Sequence, residues 1–205
     1  MKLFKKKSGF TLVEILVVIA IIGLLASLLV PVVGAAMGKV KKTTSKSMFT
    51  SWVTAIENYK QTYNYYPILV KGQSVGDDQE YNLGDGTTSL NFVKALSGRD
   101  PATGEVLSKE DLKSFNRKGT SFYEFSQEDF EDGNTSNGQL VDGFGNPNIH
   151  IVMDTDGNGR VVIPNQYMPD DATDAEEDSN GIMRKVIIFT SKKDGDDYED
   201  IYSWR

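Results

Sequence analysis

Hydrophobic and polar positions alternate in three different ways along the chain. Residues 10–33, FTLVEILVVIAIIGLLASLLVPVV, are apolar at almost every position and carry one ionisable group, Glu14. A run with no polar face predicts a helix surrounded by apolar material on all sides. At 1.5 Å per residue it is about 36 Å long, enough to cross a hydrocarbon core of roughly 30 Å with some tilt. From Met48 the pattern changes. Met48, Phe49, Trp52, Val53, Ile56, Tyr59 and Tyr63 recur at helical spacing, which predicts an amphipathic helix with one face packed on a globular domain. Pro67 disfavours α geometry in the residue before it, so the helix should end within residues 63–66. Pro31 removes a hydrogen bond inside the apolar half, and with Gly23 it predicts a bend there.

Beyond the helix the pattern is irregular and glycine-rich over residues 68–138, an insertion of no clear role. Residues 88–97, TSLNFVKALS, read as a short helix with Gly98 past its end. Ser108 opens SKED, a capping box, and residues 129–137 read as a polar turn. From Gln139 the period becomes that of strands. Gly143, Gly145 and Pro147 predict a tight turn into a strand at 149–153. Residues 160–163 are read as the second arm of a hairpin across Asp154-Thr155-Asp156-Gly157-Asn158-Gly159. Residues 182–190 are the last expected strand, central to the sheet. The fold class is α+β: a long N-terminal helix packed on a small C-terminal antiparallel sheet. The divisions are a leader at 1–9, a helix at 10–66 with its membrane part at 10–33, and a globular domain at 67–205.

Charge sharpens this picture. The chain has 205 residues and a net charge of −7, but residues 1–48 hold eight lysines and one glutamate. The rest is strongly acidic, which argues against nucleic acid as a partner. The lysine cluster Lys2, Lys5, Lys6 and Lys7 precedes the apolar run and marks the cytoplasmic side, so the C-terminal part lies across the membrane. There are no cysteines to staple that part.

KKSG followed by FTLVE resembles the N-terminal signal of type IV pilins and of the pseudopilins of type II secretion. Ordinary secretory leaders are cut after their apolar region. The resemblance implies a cut before it, between Gly9 and Phe10, by a prepilin peptidase, and N-methylation of Phe10. Glu14 would then pair with the amine of a neighbouring subunit and set the stagger of a filament, since an unpaired acid in lipid costs a few kcal/mol or more. Gly23 and Pro31 resemble the segment that loosens in assembled pilin-like filaments. NYKQTYNYYP resembles the end of the pseudopilin helix. VDGFGNPN, at 141–148, resembles a segment of the major pseudopilins, with Phe144 where that family usually has Trp and Asn148 where it has Tyr.

The family's fold is pilin-like, and the implied function is structural, not enzymatic. The chain would be a subunit of a periplasmic filament, anchored by one pass in the inner membrane. Its partners would be further copies, minor pseudopilins, the prepilin peptidase and the inner-membrane assembly platform. The alternatives are a type IV pilin of a surface fibre, or an anchored periplasmic binding domain or enzyme.

Three clusters carry candidate chemistry. KDGDDYEDIYSW resembles the calcium loop of major pseudopilins, pointing to Asp194, Asp197 and Asp200 as ligands of calcium; an exposed acidic tail is the plain alternative. Hard oxygen ligands in a flexible loop suit calcium better than magnesium or zinc. DTDGNG at Asp154 opens like a calcium loop, D-x-D-x-N, but Asn165 stands where a bidentate Glu is required, so a hairpin turn is the expectation. His150 is the only histidine, on a strand between Ile149 and Ile151, and a structural role is expected. With no cysteine, no second histidine and no phosphate loop, nucleophilic and zinc chemistry lack visible parts.

Overall fold

The computed structural model describes residues 10–70, 78–169, 172–173, 181–190 and 200–205. The first helix, α1 (Leu12–Tyr63), is one unbroken element of 52 residues. It contributes to two compact units, one ending at Val40 and one spanning Lys41–Arg205.

In the first unit, among the described residues, the apolar side chains of α1 are exposed. From Phe10 to Val40, the exposed large hydrophobics range from 48 % at Val18 to 82 % at Leu12. An 18-residue window of this helix has a mean hydropathy of 3.0, long and apolar enough to cross a membrane.

The second unit is built on the amphipathic part of α1. Phe49, Trp52, Ala55, Ile56 and Tyr59 are buried, and Met48, Val53 and Tyr63 pack partly buried beside them. The predicted stripe is therefore the core-facing one. The helix closes at Tyr63, where Asn64 turns to φ 63° and its N–H donates to the Lys60 carbonyl at 2.7 Å. Two short helices follow. In α2 (Gly86–Ser97) Asp85 accepts from the Thr87 N–H, and Gly98 ends the helix at φ 67°. In α3 (Lys109–Phe115) the Ser108 side chain accepts from the Asp111 N–H. Gly98 and Ser108 sit where the sequence puts them, while α2 begins two residues before the expected Thr88.

The sheet has four antiparallel strands in the order β1 (Gln79–Asn82), β2 (Ile149–Met153), β3 (Val186–Thr190) and β4 (Ile201–Tyr202). Its period-two alternation splits the side chains between two apolar layers. Ile149, Ile151, Met153, Val186 and Ile188 join the core that holds α1 and α2. Val152, Ile187 and Phe189 join a second cluster with Val161, Ile163 and Ile182 on the other face.

Two expectations about the strands fail. The hairpin between β2 and residues 160–163 does not form. Both edges of β2 are already taken, by β1 in the register Gln79↔Met153 and by β3 in the register Met153↔Val186. Val161 instead makes an isolated bridge to Ile182, with N–H to carbonyl distances of 3.1 and 3.0 Å. And 182–190 is neither one strand nor the last. Its beginning belongs to that bridge, and β4 follows it.

The turn at 141–148 locks the sheet to α1. Asp142 Oδ1 accepts from the N–H of Phe144 at 2.8 Å and of Asn146 at 2.9 Å. The Gly143 N–H donates to Ser45 Oγ of α1 at 2.9 Å. A Cβ at Gly143 would lie 2.7 Å from the Lys41 carbonyl oxygen and 2.9 Å from Ser45 Oγ. Backbone must move to admit it. Gly143→Ala should therefore lower stability by about 1–3 kcal/mol, the usual cost of overpacking. Denaturant unfolding of the purified chain in detergent measures this, and an unchanged midpoint would show that the helix and turn are free to separate.

Candidate functional site

Thr11 and Glu14 start α1 with a reciprocal cap. The Thr11 N–H and Oγ both donate to Glu14 Oε2 at 2.7 Å, and the Glu14 N–H donates to Thr11 Oγ at 3.2 Å. This is a T-x-x-E capping box, which satisfies two of the four amide groups a helix start leaves open. The motif is plain in FTLVE, yet the sequence reading assigned the carboxylate to a neighbouring chain only. Phe10 is 81 % exposed just before the helix. Gly9, the other side of the expected cleavage point, lies outside the described residues. α1 runs through Gly23 and Pro31 without a break. Beyond its chain neighbours and the helix's own backbone, no described atom comes within 4 Å of a Cβ built on Gly23.

Of the predicted calcium ligands, Asp194 and Asp197 lie outside the described residues. Asp200 is exposed at the start of β4. Its neighbour Ile201 pairs with Thr190, and the Ile201 N–H donates to Thr190 Oγ1 at 3.2 Å.

His150 faces the second apolar layer, as its place on the strand requires. Its ring lies 4.3 Å from that of Tyr167 and stacks at 5.2 Å on Phe189. Nδ1 is 2.5 Å from Glu80 Oε1 on β1. Burial lowers the histidine's affinity for a proton, and the Glu80 carboxylate partly offsets this. A histidine 1 % exposed between two aromatic rings is a core residue.

A different acidic group does come together. Oxygens of Asp78, Asp154 and Asp156 lie within 4.8 Å of one another. Asp154 is 3 % exposed. Its Oδ2 accepts from the Gly159 N–H at 3.1 Å, while its Oδ1 has no hydrogen-bond partner. Asp78, just before β1, accepts from the Thr155 N–H at 3.1 Å. Burial raises the Asp78 carboxyl above its ordinary range, and the charges of Asp156 and Asp154 push the same way. The DTDGNG loop was visible in the sequence. Asp78 was not, because only the pairing of β1 with β2 brings it there.

Comparison with known proteins bears on the N-terminal segment most directly. Residues 4–30 match the family described as the prokaryotic N-terminal methylation motif. The chain is similar to three proteins named type II secretion system core protein G. It is 38 % identical to that of Pseudomonas aeruginosa over 68 residues, 33 % of this chain and 48 % of the relative. It is 40 % identical to that of Escherichia coli over 72 residues, 35 % of this chain and 50 % of the relative. It is 38 % identical to that of Aeromonas hydrophila over 68 residues, 33 % of this chain and 48 % of the relative. The chain thus spans about half the length of the curated relatives it matches. No solved structure matches it. The chain carries a prepilin-type N-terminal methylation motif on an apolar helix, and over a third of its length it is similar to the core protein G of type II secretion systems.

Proposed function

We propose that this protein is a structural subunit of a pilin-like filament, the pseudopilus of a type II secretion system, and not an enzyme. One observation carries the reading: the methylation motif at 4–30 leads into an apolar helix whose large side chains are exposed among the described residues. Such a surface needs lipid before assembly and other copies after it. A prepilin peptidase cuts between Gly9 and Phe10 at the cytoplasmic face, and the freed Phe10 amine is methylated. The globular unit then lies in the periplasm. The assembly platform of the inner membrane lifts the subunit into a filament with further copies and minor pseudopilins.

In the filament, Glu14 leaves its Thr11 cap to meet the Phe10 amine of a neighbour, and the helix loosens between Gly23 and Pro31. The acidic tail, through Asp194, Asp197 and Asp200, holds calcium next to the β3–β4 pair.

Mass spectrometry of the native protein checks the first step. The expected N-terminus is Phe10 carrying one added methyl group, on protein recovered from membranes and from sheared filaments. A mature chain that still begins with the lysines would reduce the protein to a tethered domain and end the reading.

A further inference from the structure

We propose that Asp78, Asp154 and Asp156 form a second divalent-cation site, suited to calcium, that fastens the start of β1 to the loop after β2. The loop runs Asp154-Thr155-Asp156-Gly157-Asn158-Gly159, and its carboxylates stand at the first and third positions of a calcium loop, with glycine at the sixth. Asn165 replaces the glutamate that normally closes such a loop at position twelve. Asp78, from a distant segment, supplies a carboxylate in its stead.

Proximity and an unmet acceptor both point to an ion. The three oxygens fall within 4.8 Å of one another, close enough for one cation to touch all three. Carboxylates on a loop suit calcium, which takes hard oxygens in flexible geometry, better than magnesium, which demands a near-ideal octahedron. The second observation is independent of that proximity. Asp154 is 97 % buried, given its 3 % exposure, and its Oδ1 accepts no hydrogen bond. A buried carboxylate oxygen without a donor is costly, and a cation removes the cost. Among the described residues, no lysine or arginine forms an ion pair with any of the three. Burial also holds Asp78 above the ordinary carboxyl range, as expected where acids crowd together without a counter-charge.

An entry path exists. A cleft of about 530 Å³ lined by Tyr66, Tyr81, Asp154 and Thr155 opens beside the group. Asn158 Oδ1 accepts from the Arg160 N–H at 2.7 Å, so the fifth position of the loop is turned to its own backbone. The remaining ligands are therefore water and the second carboxylate oxygens.

The test uses the full chain in detergent, freed of calcium with a chelator. The background is Asp194→Asn/Asp197→Asn/Asp200→Asn, which removes all three carboxylates assigned to the tail site. Calcium chloride alone is titrated in. The expected result is a calorimetric binding event and a rise of roughly 5–10 °C in the unfolding midpoint at about a hundredfold excess over Kd. Asp156→Asn, at an exposed position, should weaken calcium binding at least tenfold without lowering the calcium-free midpoint. Asp154→Asn should abolish binding.

A background protein whose midpoint does not respond to calcium would overturn the proposal. So would an Asp156→Asn protein that binds calcium as tightly as its parent. An equal response to magnesium chloride would overturn the assignment to calcium.

Discussion

Trp52→Ala should remove about 3–5 kcal/mol of stability from the globular unit, the range for emptying a large aromatic site in a core. Trp52 is fully buried on the inner face of α1. Its ring meets Phe92 of α2 at 5.3 Å, Phe49 at 5.8 Å, Phe125 at 6.0 Å and Tyr123 at 6.3 Å. These rings come from three separate stretches of chain, so no single neighbour can move in to refill the space. Domains of this size have only about 5–15 kcal/mol in total. The variant should therefore unfold at a much lower denaturant concentration and be cleaved readily by protease, while its N-terminal segment still enters the membrane. A loss under 1 kcal/mol in denaturant unfolding would mean that α1 is not the central support of the unit. Trp52 tests the globular half without touching the N-terminal machinery.

That core was legible because its signal is periodic. Phe49, Trp52, Ile56 and Tyr59 repeat at the helical period, and each is at most 1 % exposed. Two caps were legible for a similar reason: Ser108 and Gly98 act through the backbone within a few residues of themselves.

What the sequence hid is what depends on distant pairing. β1 is four residues long and reads Gln-Glu-Tyr-Asn, too short and too polar to announce a strand. It exists because β2 offers it an edge. The same edge being filled is why residues 160–163 could not close the hairpin that their β-rich pattern suggests. The candidate chemistry divides along the same line. The motif at Asp154 is local and could be read. Its third carboxylate, Asp78, is brought in by register, and no spacing rule joins it to the loop. At the N-terminus the T-x-x-E box is local and readable from four adjacent residues, and it gives Glu14 a role within its own chain beside the one expected between subunits.

Those two roles of Glu14 make opposite predictions, and a pair of variants separates them. As the third residue of the capping box, Glu14 holds the Thr11 amide, and glutamine can do the same. As the counter-charge to a neighbour's Phe10 amine, it must be ionised, and glutamine cannot serve. Breaking one partner of a buried ion pair costs about 3–5 kcal/mol, so each subunit contact would weaken by roughly two to three and a half powers of ten. Glu14→Leu removes both roles and makes the helix a better lipid-soluble segment. It should accumulate in the membrane, trimmed and methylated, with filament yield down at least about 100-fold. Glu14→Gln is the decisive member of the pair. It keeps the cap and the length of the side chain and deletes only the charge. Filament yield as low as that of Glu14→Leu, in protein whose N-terminus is processed normally, is the result expected if the carboxylate acts between subunits. Normal filaments from Glu14→Gln would place its whole function in starting the helix, and the register of the filament would then have to come from the packing of the apolar surfaces alone.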